Sequence, residues 1–210
     1  MRKSVILWFL LPFLTVTSVL AQEKPPRYEL TPFGAYQGGG EFEQVGTGSE
    51  LELDESGSFG LVFNRRVDAD RQWEIFYSRQ ETELDTEGLF VNEPVLDLDV
   101  DYLQFGGTYA FDSELGRPYI VATIGVSRFD PEPSGFDSET FFSFSFGGGV
   151  KLFPDKRFGL RLEGRFLATV VDSDSEILCR TGFDTNFCAV RVEGDLLWQW
   201  QMMAGLIFRF

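Results

Sequence analysis

The run from Leu196 to Phe210 alternates by parity to its final residue, and that alternation restricts the fold more than any other stretch of the chain. Trp198, Trp200, Met202, Ala204, Leu206, Phe208 and Phe210 share one parity; Gln199, Gln201, Met203, Gly205, Ile207 and Arg209 share the other. A period of two is the strand period, and large apolar groups opposed to polar or small ones describe a half-buried strand. The run exceeds the usual length of a soluble strand. An aromatic-faced strand with nothing beside it to bury the rings belongs in lipid, where spanning strands take about 9–11 tilted residues.

Upstream, the chain supplies matching strands. Eight segments alternate or nearly so: 27–37, 58–67, 71–83, 98–111, 117–129, 139–153, 157–171 and 193–210. In the sixth, Phe142, Phe144, Phe146, Val150 and Leu152 oppose Ser143, Ser145, Gly147, Gly149 and Lys151; in the seventh, Leu160, Leu162 and Phe166 oppose Arg161, Glu163 and Arg165. The first and fifth alternate less clearly, and their facing stays open. Asp68 to Asp70, Asp112 to Gly116 and Pro154 to Lys156 make short connections, and the alternate connections are longer, the pattern of short periplasmic turns opposite long outer loops. Aromatics gather at two heights, with Phe63, Trp73, Phe111, Phe153 and Phe158 near the turns and Phe59, Phe142, Trp198 and Trp200 near the loops, like the girdles that seat a barrel in its bilayer.

The N-terminus reads as processing: Arg2-Lys3, an apolar run from Val5 to Phe13, and Val19-Leu20-Ala21 as a cleavage site, so that residues 1–21 are a removed signal peptide and 22–210 the mature domain. After it comes no stretch of 18 or more uninterrupted apolar residues, so any membrane span must be made of strands. The formal charge of −15 becomes −17 once Arg2 and Lys3 leave, which argues against nucleic acid as a partner. Aromatics make up 16% of this charged chain, more than a small solvated globule readily buries.

Gly205, Phe208 and the terminal Phe210 resemble the C-terminal targeting signal of bacterial outer-membrane barrels, with Met203 where that signal usually has a polar residue. The mature chain as a whole resembles the small eight-stranded outer-membrane barrels of the OmpA transmembrane-domain and OmpX type. The resemblance implies an all-β, eight-stranded antiparallel up-and-down transmembrane β-barrel, monomeric, inserted by the barrel assembly machinery and surrounded by outer-membrane lipid and lipopolysaccharide.

Four candidate sites follow. The parity turns Glu74, Lys151, Arg161, Glu163, Arg165, Gln199, Gln201 and Arg209 into the lumen. An eight-stranded interior is just wide enough for side chains to fill, so a satisfied ion-pair plug is favoured over a pore. Second, enzymes built on such barrels use a histidine beside a serine or acidic residue; this chain has no histidine, and neither catalysis nor a cofactor is expected. Third, the outer connections carry Glu41, Glu50, Glu81, Asp97, Asp99 and many other carboxylates, without EF-hand spacing; diffuse binding of divalent cations that also bridge lipopolysaccharide phosphates is the metal reading, beside that of a solvated surface. Fourth, Cys179 and Cys188 in an exported chain favour a loop disulfide, worth about 2–3 kcal/mol.

The expected function is structural or interactive, with acidic extracellular loops offered to partners. The alternatives are a narrow passive channel and a soluble exported lipid-binding barrel.

Overall fold

A computed structural model describes residues 26–43, 50–85, 95–114, 116–131, 138–154, 156–171, 176–181, 186–191 and 196–210. The proposed signal peptide, residues 1–21, lies outside them. Twelve strands are present among the described residues: β1 (Tyr28–Gly39), β2 (Glu41–Glu43), β3 (Glu50–Glu52), β4 (Ser56–Arg66), β5 (Arg71–Asp85), β6 (Val95–Ala110), β7 (Arg117–Pro131), β8 (Glu139–Leu152), β9 (Phe158–Val170), β10 (Glu176–Thr181), β11 (Asn186–Arg191) and β12 (Leu197–Arg209). Eight of them close into an antiparallel barrel in the order β1-β12-β9-β8-β7-β6-β5-β4, and the pairs β2-β3 and β10-β11 form separate hairpins in the long connections.

These hairpins were not expected from parity, because their strands are too short to show a period. The barrel strands also run further outward than the alternation indicated. β5 reaches Asp85 and β6 begins at Val95, so their pairing continues through polar residues where side-chain alternation no longer marks the strand. β12 begins at Leu197, and the expected start at Glu193 lies outside the described residues.

Closure occurs between the first and last barrel strands, with Glu29 opposite Arg209 and Phe33 opposite Gly205. Phe210 completes the seam: its backbone N–H donates to Tyr28 O, and its own carbonyl accepts from Tyr28 N, each at 3.0 Å. No backbone edge is left open there, as a membrane-spanning sheet requires.

The two faces separate by parity as a bilayer demands. Along β12, Leu197, Gln199, Gln201, Met203, Gly205, Ile207 and Arg209 are buried, while Trp198, Met202, Ala204, Leu206 and Phe208 are exposed. Phe142, Phe146 and Phe166 point outward and are about half exposed, and Phe166 lies against Phe146 with its ring tilted rather than meeting an interior. Such a continuous apolar exterior would be a large aggregation surface in water; around a closed barrel it is the lipid contact.

The strands of uncertain facing are now placed. β7 turns Ile120, Ala122, Ile124 and Val126 outward and Tyr119, Val121, Thr123, Ser127 and Phe129 inward, so apolar groups lie on both faces and blur the period. In β1 the outward positions include Pro32 and Gly34, while Phe33 points inward and stacks on Phe76 at 5.8 Å.

Candidate functional site

The interior is built in layers, each contributed by inward positions at one height. Nearest the turns, Glu29 accepts from Lys151 Nζ at 2.6 Å and from Arg209 Nε at 2.9 Å. Lys151 also donates to Gln72, and Arg209 reaches the 153–157 turn by donating to the carbonyls of Phe153 and Lys156. The C-terminal strand is thereby tied to the β8–β9 turn as well as to β1.

At mid-height two arginines and two glutamates alternate. Glu74 Oε1 accepts from Arg165 Nη2 at 2.6 Å and its Oε2 from Arg161 Nη2 at 2.9 Å. Glu163 Oε1 accepts from Arg165 Nε at 2.8 Å and its Oε2 from Arg161 Nε at 2.9 Å. Each carboxylate therefore bridges both guanidiniums. All four side chains have zero solvent accessibility. The remaining valences are taken by the neighbours: Asn64 donates to Glu74, Tyr119 donates to Glu163, and Arg165 Nη1 donates to Thr123 and Ser145. The guanidinium of Arg165 also lies 3.9 Å from the centre of the Phe76 ring. A buried charge is tolerated only with this degree of pairing.

Toward the loops follows a neutral amide layer. Gln201 Nε2 donates to Gln37, Ser58 and Ser78, and Gln199 Nε2 donates to Gln80 while its Oε1 accepts from the Tyr102 hydroxyl at 2.6 Å. Among the described residues the buried polar atoms without a partner are Thr31 Oγ1, Arg117 Nε and Gln201 Oε1, so the network is nearly complete. Above the amides the interior turns apolar, with Val100, Phe129, Phe141, Leu167, Val171 and Leu197 in one buried cluster. The expectation that the polar half of each alternation fills the lumen needs that correction. Inward positions near the outer rim carry hydrocarbon, which needs no hydrogen-bond partners.

The geometry thus gathers Glu74, Lys151, Arg161, Glu163, Arg165, Gln199, Gln201 and Arg209 inside one wall. Asn64, Tyr119, Glu29 and Gln37 join them. Their inward facing was hidden because β1 and β7 alternate weakly and because a lone Asn in β4 has no parity partner of its kind.

The outer rim holds a hollow of about 540 Å3 lined by Asp54, Glu55, Glu81, Glu83, Asp97 and Asp99. Arg79 sits on this rim and pairs with Asp99 and, at 3.7 Å, with Asp101. Among the described residues no group of three or more carboxylates converges closely enough to hold a metal ion. In the last outer connection β10 and β11 set Cys179 opposite Cys188 in register, while their side chains lie outside the described ones.

A closed antiparallel eight-stranded barrel with an apolar outer belt and a lumen filled by charged and polar side chains is the architecture of one class of membrane protein. The fold is that of the small eight-stranded outer-membrane barrels. Neisserial surface protein A is similar in structure, with 13% sequence identity over 87% of this chain and 97% of that one at a TM-score of 0.61. The outer membrane protein AlkL is similar at 15% identity, covering 100% of this chain and 97% of that chain, with a TM-score of 0.50. No family model and no curated protein matches the sequence. Its lipid-facing belt, together with spans made of strands rather than helices, places the chain in the bacterial outer membrane. In the outer-membrane barrel the four mid-height charges form a cross-brace, holding β5 against β9 across the lumen.

Proposed function

We propose that this outer-membrane barrel is non-conducting and non-enzymatic, and that its role is to brace the outer leaflet and present acidic outer loops to partners. The observation that carries this reading is the mid-lumen quartet of Glu74, Glu163, Arg161 and Arg165, fully buried and mutually paired. An ion passing through would have to separate carboxylates from guanidiniums in a water-poor interior, and breaking one such pair costs about 3–5 kcal/mol. Neither glutamate has a free face from which to act as a general base, since each is engaged by two arginines.

The outer hollow supports the interaction role. Asp54, Glu55, Glu81, Glu83 and Asp97 are exposed there, where they repel acidic surfaces and attract cationic ones. The test is single-channel recording of the refolded barrel in planar bilayers. No discrete conductance steps are expected, and sustained unitary steps would replace this reading with that of a narrow channel.

A further inference from the structure

On the outward face near the periplasmic turns, small residues interrupt the wall of large side chains between β5 and β7. Strand register places Trp73, Gly107 and Ala122 side by side across β5, β6 and β7. The row above them is Ile75, Phe105 and Ile124, and the row below is Arg71, Tyr109 and Ile120. Two small residues set between rows of large ones leave a hollow of about 380 Å3, walled by Trp73, Tyr109 and Ile120 and lined also by Arg71.

We propose that this hollow is a docking site for one glycerophospholipid of the periplasmic leaflet, with an acyl chain lying over Gly107 and Ala122 and the phosphate against Arg71. The hollow is continuous with the lipid-facing belt, so hydrocarbon is the medium that fills it. An unfilled gap there would forfeit the dispersion contacts of its walls. Trp73 and Tyr109 have the amphipathic character of residues at the level where acyl chains meet headgroups. Arg71 lies one row nearer the periplasm. Asp68 engages its Nε and Nη2, yet the side chain remains 65% exposed, and a guanidinium has five donors to share with a phosphate. A second copy of the chain is a poorer occupant, because two acidic bodies, each −17 without residues 1–21, repel one another.

The test uses delipidated, refolded barrel in mild detergent, titrated with palmitoyl-oleoyl phosphatidylglycerol and read by native mass spectrometry. The wild-type protein is expected to retain one lipid. Ala122→Phe, which fills the hollow, is expected to weaken retention about tenfold, the equivalent of about two methylenes put back into solvent. Arg71→Gln should weaken binding of the phospholipid but not of the corresponding diacylglycerol. Ile124→Phe, on the same face but outside the hollow, should leave it unchanged. Heat-modifiable gel migration confirms folding, and Ala122→Leu replaces Ala122→Phe if the larger ring prevents it. Equal retention by the wild type and the Ala122 variant overturns the proposal. So does a dimer that the Ala122 substitution dissolves.

Discussion

Asp68 shows how one side chain can organise a turn. Its Oδ1 accepts from the backbone N–H groups of Asp70 at 3.0 Å and Arg71 at 2.8 Å, and its Oδ2 accepts from Arg71 Nε at 2.6 Å. These donors favour the carboxylate, the Arg71 side chain first among them, and hold the pKa down to about 2 against an ordinary 3.8. The sign follows from linkage. The turn gains its full stabilisation above the unfolded value, loses it as pH falls toward the folded one, and has none below both. In NMR titrations of the micelle-embedded barrel, the amide resonances of Asp70 and Arg71 are therefore expected to move with a midpoint near 2. A midpoint near 3.8 would contradict the hydrogen-bonded turn, and Asp68→Asn should abolish the transition.

At the scale of the element, β6 and β7 approach more closely than strands bearing side chains could. A Cβ on Gly106 would lie 2.1 Å from the carbonyl oxygen of Ala122, and one on Gly125 would lie 2.1 Å from that of Leu103. The two inward-facing glycines are reciprocal, each making room for the neighbouring strand's backbone as the sheet curls into a narrow barrel. The contact is with backbone, which cannot move aside. Gly106→Ala is accordingly expected to lower stability by about 1–3 kcal/mol, measured by urea unfolding in lipid vesicles. An unchanged unfolding midpoint would show that the strands can separate at no cost.

For the whole molecule, the lumen is filled at two heights: by paired charges in the middle and by packed hydrocarbon above them. Removing charge at mid-height leaves Phe129, Phe141, Leu167 and Leu197 where they were. The double variant Glu163→Ala, Arg165→Ala, in which Arg161 keeps Glu74 as its partner, is expected to show no more conductance in planar bilayers than the wild type. Channel openings in that variant would mean that the ion pairs alone keep the barrel shut.

Strand number, inside and outside, and the membrane setting were legible in the chain because they depend on a two-residue period and on the spacing of turns. Leu196 to Phe210 displays both faces of its strand without reference to any neighbour. Which charges meet was another matter. Glu74 and Arg161 are 87 positions apart, and only the register of three intervening strands brings them to 2.9 Å. Nor could alternation reveal the apolar cluster at the outer rim, since Leu167 and Phe129 are distinguished from lipid-facing residues by direction alone. Local periodicity is a property of one strand, whereas a cross-lumen pair or a lateral hollow exists only after the barrel has closed.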